Sequence, residues 1–233
     1  MASFNELIFD LHNIVRAGGQ ISDDDALDRR QIGFWIINQR AIWIRQEFQK
    51  NHSLDQKIIQ DLGCVDIEQA DTGECCTGSS NCSFMRTVRL IPTPIEFYNR
   101  TGITRVGPID KGALPYSFIS YEQSQWSGNG RWNSQQIVSF IGNDRIYLKI
   151  PVDNLFSSGQ EQINVQGVFN DPRLVASFVT CNGVPCYTDD MDFPLQNWMI
   201  EFMKDMILKS NFRVALSTPA DKVNDATGKV TIQ

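Results

Sequence analysis

Residues Asp25 to Asn51, DALDRRQIGFWIINQRAIWIRQEFQKN, form the longest periodic stretch of this 233-residue chain. Apolar residues recur at the i, i+3, i+4, i+7 spacing that predicts an amphipathic helix with a wide buried stripe. Ser22 and the aspartates that follow it are typical of a helix start. At about 1.5 Å per residue, some 24 residues would form a rod of roughly 36 Å. We therefore expect this long central helix to organise the fold.

The residues before and after this stretch also predict helix. Residues 3–17 begin with a possible capping box of Ser3 and Glu6 and end at two glycines, so the long helix can fold back on them as a hairpin. Residues 54–62 predict a short third helix. We expect an N-terminal helical part that covers residues 1–62.

A β-rich region follows the helices. From residue 84 onward, short β-prone runs are separated by Pro, Gly and Asn. The clearest is QIVSFIGNDRIYLKI, residues 136–150, in which Gly142, Asn143 and Asp144 accept the φ values of a tight hairpin turn. We predict a small antiparallel sheet within an inserted domain, residues 63–170, that also carries a cysteine-bearing loop.

Helical patterns return in the last third of the chain. Asp171 and Pro172 predict a helix start, and residues 193–209 carry apolar side chains at helical spacing. We expect C-terminal helices over residues 171–209 and an extended tail over residues 210–233. The predicted fold class is α+β, with an N-terminal helical hairpin and long central helix, an inserted small antiparallel β domain, C-terminal helices and an extended tail.

Composition narrows the function classes. The net charge of −6 argues against general nucleic-acid binding, which needs a basic face. No stretch approaches 18 apolar residues and the N-terminus has no secretory pattern, so we expect neither a membrane span nor export. The sequence contains no P-loop, no nucleophile-elbow motif and no zinc-protease motif, and we expect no catalytic residues and no cofactor.

The cysteines leave three readings open. Their spacing does not form the two C-x2-4-C pairs of a typical zinc site, and free, partly buried thiols are our main expectation. A disulfide would need an oxidising setting, such as a particle released from a lysed cell. The alternative function is a zinc-stabilised binding module that uses the Cys64–Cys82 loop. The six cysteines are Cys64, Cys75, Cys76, Cys82, Cys181 and Cys186.

Tryptophan and arginine side chains share the central helix. Bulky aromatics and arginine are enriched in interface cores, although a solvated helix face is the simpler explanation. We expect these side chains to organise the helical core or a contact between subunits. The predicted interface residues are Trp35, Arg40, Trp43, Arg45 and Trp198.

Several segments occur in a distinctive order. They are NELIFDL, FWIINQRAIWIRQ, DLGCVDIEQAD, MRTVRLIPTPIEF, the FIGNDRIYLKI hairpin and INVQGVFNDPRLV. In this order the chain resembles a virion structural protein of crAss-like phages and related podoviruses, over nearly its whole length. The resemblance implies a non-enzymatic neck ring, or head-to-tail connector, that docks on the portal and forms part of the DNA ejection channel.

The resemblance also implies partners and a location. We expect the chain to form a closed, twelve-fold ring with itself and to contact the portal and further neck or tail proteins. Its helical part would sit on the portal and its β part would contact neighbours or the tail. Genomic DNA would pass through the lumen without specific binding, because an acidic wall repels phosphates. The protein would be made in the bacterial cytoplasm and reside in the virion.

Overall fold

A seven-stranded mixed sheet is the main element of the part of the chain that the structure describes. The computed structural model describes residues 2–17, 28–71, 84–127, 134–151 and 161–212. The strand order is β3-β7-β1-β2-β6-β5-β4, and every pair is antiparallel except the short parallel pair β4–β5. The strands are β1 (Gln60–Gln69), β2 (Phe84–Thr87), β3 (Ile103–Gly107), β4 (Ser117–Phe118), β5 (Val138–Gly142), β6 (Arg145–Lys149) and β7 (Gln162–Gly167).

The two edges of the sheet approach each other. The backbone N–H of Tyr116, which directly precedes β4, donates to the carbonyl oxygen of Val106 in β3 at 2.7 Å. The sheet is therefore curled into a nearly closed barrel, and its inward-facing side chains fill the interior. Among them are Val65, Ile146 and Val165, all buried.

Strand β1 joins the two halves of the barrel. Its first part pairs with β7 and its last part with β2. The register shifts between Asp61 and Cys64, and Gly63 has a positive φ of 70°. Leu62, before this bulge, and Val65, after it, are both buried although they are three positions apart. The bulge therefore shifts the alternation of buried and exposed positions by one residue.

The predicted hairpin is confirmed. β5 and β6 pair in continuous register, from Val138 opposite Lys149 to Gly142 opposite Arg145. Asn143 and Asp144 form the two-residue turn with φ values of 48° and 56°. Two positive φ values are typical of the type I′ turn, whose twist matches that of the strands.

Within these described ranges, four α-helices accompany the sheet. Ser3 and Glu6 form the predicted capping box of the first one, in which the Glu6 N–H donates to Ser3 Oγ and the Ser3 N–H donates to Glu6 Oε2. Asp28 caps the second helix. The helices are α1 (Phe4–Ala17), α2 (Arg29–Asn51), α3 (Tyr121–Trp126) and α4 (Asn197–Met206), with a π-helical continuation at Ile207–Phe212 and 3₁₀ turns at Gln56–Ile58 and Pro172–Ser177.

Helices α1, α2 and α4 share a second hydrophobic core at one end of the barrel. Its buried side chains include Leu7 from α1, Ile36 from α2 and Met203 from α4. Ile95 and Val168 from the sheet part belong to the same cluster. The helices therefore pack against an extension of the sheet.

The predicted fold class is wrong. The dominant element is the seven-stranded mixed sheet, and the helices are additions to it, so the chain is not a helical hairpin around a long central helix with a small antiparallel insert. The third helix predicted at residues 54–62 is also wrong, because a 3₁₀ turn and the start of β1 occupy it. The predicted cap at Ser22 and most of the tail, residues 213–233, lie outside the described residues.

Candidate assembly surface

Arg40 lies inside the subunit. It is 0% exposed, and its guanidinium joins two segments by donating from Nε to the carbonyl oxygen of Pro194 at 3.0 Å and from Nη1 to that of Phe169 at 2.7 Å. The ring of Phe193 lies 5.8 Å from the guanidinium carbon. Burial lowers the pKa of the Arg40 guanidinium to about 10, against the opposing effect of Tyr187 and Asp171. Arg40 thus connects helix α2 to the sheet end and to the segment before α4.

The other predicted interface residues lie nearer the surface. Trp35 and Trp43 are partly buried against the helical core, whereas Arg45 is exposed. Trp198 is about half exposed, and its indole N–H donates to Gln196 Oε1 at 2.6 Å. The structure brings Trp43 and Trp198 to the same region through Phe202, and places Arg40 beneath the surface. Whether these residues contact another subunit stays a prediction.

An apolar ridge runs along α4. Trp198, Phe202 and Met206 follow at four-residue intervals, which places them on one helix face, and all three are exposed, Phe202 by 55%. The Phe202 ring lies 6.2 Å from the ring of Trp198 and 6.1 Å from that of Trp43 on α2. We call these three α4 residues the α4 ridge.

A charged contact joins α4, the helix that carries the ridge, to α1. Lys204 Nζ lies 3.2 Å from Asp10 Oδ2 of α1 and 3.3 Å from Glu201 Oε1 of its own helix. Burial lowers the pKa of the Lys204 ammonium, but the hydrogen bonds to Asp10 and Glu201 outweigh that effect and the net shift is upward. This contact orients α4 and with it the ridge.

Sequence reasoning missed Phe202 and Met206 as surface residues. Both were counted only as part of a helical pattern. The spacing of residues 198, 202 and 206 marked a single face, but spacing alone does not say whether that face is buried or exposed. The buried face of α4 proved to be Met199, Ile200 and Met203.

The preferred reading of free thiols is wrong for two of the cysteines. Cys64, at the bulge of β1, forms a disulfide with Cys181, which lies 117 residues further along the chain. The backbone N–H of Cys64 also donates to the carbonyl oxygen of Val179 at 3.3 Å. Cys186 is free, and burial raises the pKa of its thiol to about 11. Cys75, Cys76 and Cys82 lie outside the described residues.

Loss of this disulfide is expected to lower the free energy of unfolding by about 2 to 4 kcal/mol, the typical range for a native disulfide, because the bond restricts the unfolded chain. Urea unfolding of the Cys64→Ala/Cys181→Ala variant measures the loss. The matched control is Cys186→Ala, which removes a thiol without breaking the disulfide. Equal stability of the double variant and this control would contradict the prediction.

Beside the disulfide lies an open cavity of about 640 Å³, lined in part by Asp61, Lys111, Cys186 and Leu195. Asp61 accepts from Asn164 Nδ2 at 2.6 Å and from the Gly63 N–H at 2.8 Å, and pairs with Lys111 at 2.6 Å. Burial raises the pKa of the Asp61 carboxyl, but these hydrogen bonds outweigh it and the net shift is downward. The carboxylate is saturated by partners of its own chain and braces the β1 bulge.

Metal binding and membrane insertion receive no support from the described ranges. No group of three or more His, Cys, Asp or Glu side chains in them is arranged to hold a metal ion. Cys64 is already bonded to Cys181, so it is not available as a thiolate ligand in the zinc alternative. Among the helices of the described part, none has the length and apolarity that crossing a bilayer requires.

Comparison with known proteins gives two matches. A sequence family described as phage tail ring protein 2 matches residues 6–230. The chain is also 24% identical to Ring protein 2 of Bacteroides phage crAss001 over 230 residues, which cover 96% of each chain. The family match includes all seven described strands. They confirm the resemblance to a virion structural protein of crAss-like phages.

Proposed function

The chain belongs to the phage tail ring protein 2 family, and from this membership we propose that its copies form a closed ring in the neck of the virion, docked on the portal. The family consists of structural ring proteins and is not a class of enzymes, so the chain is a structural component of the virion. We propose a twelve-fold ring that also contacts further neck or tail proteins. Its synthesis in the host cytoplasm is part of the same proposal.

The exposed α4 ridge is the observation that carries the docking proposal. A row of exposed aromatic side chains on packed helices is typical of interaction sites, since tryptophan and other aromatics contribute most to binding. We propose that the ridge, together with Trp43 and Trp35, contacts the portal. Arg45 would lie at the rim and Arg40 would hold the helices in place from below.

The lumen of the ring is proposed to let genomic DNA pass without specific binding. The net charge of −6 favours this role, because like charges on the wall and on the phosphates repel each other. The tail, residues 210–233, is proposed to reach a neighbouring copy. The division into residues 1–62, 63–170, 171–209 and 210–233 stays a prediction.

Native mass spectrometry of the full chain, alone and mixed with the portal of the same phage, tests this function. We expect subunits of 26.4 kDa to join the portal in a fixed, ring-sized number. The Phe202→Asp variant is expected to weaken portal binding by about thirtyfold, since truncating an interface hot spot costs about 2 kcal/mol or more. A wild-type chain that neither self-associates nor binds the portal would overturn the proposal.

The matched control is Phe34→Asp. Phe34 is an exposed aromatic on α2, 57% accessible, and it lies outside the ridge. Both variants add one negative charge at an exposed phenylalanine, so a shared loss of binding would point to charge alone. Loss confined to Phe202→Asp assigns the portal contact to the ridge.

A further inference from the structure

The two ends of strand β6 carry surfaces of opposite shape. At its start, the turn residue Asp144 borders an apolar recess of about 420 Å³, whose other walls include Leu90, Pro92, Leu174 and Phe178. At its end, Lys149 donates from Nζ to the carbonyl oxygens of Ser124 and Ser127 and so fixes helix α3. The two surfaces are roughly 16 Å apart, at about 3.3 Å per residue along the strand.

Helix α3 presents a projecting tryptophan. Trp126, at its last position, is 81% exposed. The helix is held firmly for its length: Ser120 and Gln123 form a capping box at its start, and Tyr121 packs on the ring of Phe140 at 5.4 Å. An exposed tryptophan on a backbone that is held in this way is typical of an interface anchor, because only its side chain has to be ordered on binding.

We propose that Trp126 of one copy inserts into the Leu90–Leu174 recess of the next copy around the ring. This inference rests on the proposed ring and names the contact that closes it. A closed ring of identical copies uses a heterologous interface, in which each copy presents two different patches that complement each other. A projection and a recess at opposite ends of one strand meet that requirement, and one copy cannot fill its own recess across the length of β6.

The chemistry of the two patches is complementary. Apolar side chains supply most of the recess wall, and the guanidinium of Arg173 is held in an ion pair with Asp171 at 2.9 Å. Arg89 lies beside it, donating to the carbonyl oxygen of Ser177 at 2.6 Å. Helix α3 carries Glu122 and no basic residue. The contact would therefore combine an apolar anchor with opposite charges around it.

Two single variants test the contact in the full-length chain. Trp126→Ala removes the projection and Leu174→Glu places a charge in the recess; both side chains are exposed in one copy, so each variant is expected to fold normally. We expect each to raise the concentration needed for half-maximal ring assembly by tenfold or more. The matched controls are Tyr98→Ala and Leu114→Glu, which change exposed residues outside both patches and are expected to assemble as the wild type.

Mixing the two variants gives the sharper result. The Leu174→Glu copy keeps its Trp126 and the Trp126→Ala copy keeps its recess, so together they form one intact contact. We expect a discrete heterodimer by native mass spectrometry, whereas each variant alone stays monomeric. Insertion of Trp126 into the recess predicts this pairing, and an interface that uses neither patch does not; a wild-type ring larger than a dimer then shows that the interface is heterologous.

The outcomes separate this inference from the function on which it rests. If both single variants form rings as readily as the wild type, with or without the portal, the Trp126 contact is overturned and the proposed ring still stands. A mixture that yields only monomers would also overturn it. Failure of the wild-type chain to form any ring, alone or on the portal, would overturn the proposed function itself.

Discussion

Replacing Arg40 by alanine is expected to lower the free energy of unfolding by roughly 3 to 5 kcal/mol, because it removes the only charged donor that bonds the buried carbonyl oxygens of Phe169 and Pro194 in the described part of the chain. The truncation also leaves a cavity between α2 and the ring of Phe193. Urea unfolding at a concentration where the chain is monomeric gives the measurement, since assembly would add its own stabilisation.

Arg45→Ala is the matched control. It removes the same side chain from the exposed face of the same helix, and a change within about 0.5 kcal/mol is expected there. Arg40→Lys keeps the charge but lacks the guanidinium fork that reaches two carbonyls at once, so it is expected to recover only part of the loss. Equal stabilities of the Arg40→Ala and Arg45→Ala variants would refute the assignment of Arg40 as the link between helices and sheet.

Replacing Gly63 by alanine is the second large effect, with an expected loss on the order of 4 kcal/mol. A Cβ at this position would lie 2.5 Å from the carbonyl oxygen of Val179 and 2.9 Å from Thr180 Cα, both backbone atoms. The residue also has a φ of 70°, which side chains other than glycine adopt at a cost. Residues 178–186 form a short hairpin, in which Val179 pairs with Pro185. Relief requires this hairpin to move away from β1, which the Cys64–Cys181 disulfide resists.

Gly183→Ala separates the two causes. Gly183 has a similar φ of 77°, but a Cβ there would meet nothing within 4 Å. We expect a loss of about 1 kcal/mol from backbone strain alone. Thermal or urea unfolding of both variants decides the matter: similar losses would mean that the close approach of the hairpin to β1 contributes nothing.

Local structure followed from the sequence where one short-range cause decides it. Two turn residues that tolerate positive φ specified the β5–β6 hairpin, and the Ser3–Glu6 capping box specified the start of α1. The family resemblance also came from the order of segments. The hairpin turn and the capping box depend on neighbours within a few residues, so the sequence pattern alone predicts them.

The architecture of the sheet could not be predicted from the sequence, and β1 is the main reason. A regular strand alternates buried and exposed positions, but the bulge at Gly63 shifts that alternation between Leu62 and Val65. The sequence of β1 was therefore interpreted as the end of a helix followed by a loop. Because β1 is the strand that joins both halves of the barrel, missing it reduced a seven-stranded sheet to a small insert. The Cys64–Cys181 disulfide joins residues that are 117 positions apart, so the local sequence pattern did not predict it either.

The exposure of the candidate surface residues was not predictable for a different reason. Periodicity identified Arg40 and Trp198 as members of helices but did not distinguish a buried position from an exposed one. Arg40 is enclosed because Phe169 and Pro194, far away in sequence, supply carbonyl oxygens for it. Trp126 belonged to no pattern in the sequence, and the hydrogen bonds from Lys149 that hold its short helix α3 come from a residue 22 to 25 positions further along the chain.

The helical core also joins segments of the chain that are nearly 200 residues apart. Leu7 packs in the same cluster as Met203, and the backbone N–H of Phe193 donates to the carbonyl oxygen of Ala2. During synthesis the apolar face of α1 is therefore covered only after α4 has been made, and contacts so distant in sequence form slowly. A chain interrupted before α4 would leave the apolar faces of α1 and α2 exposed to solvent and prone to aggregation.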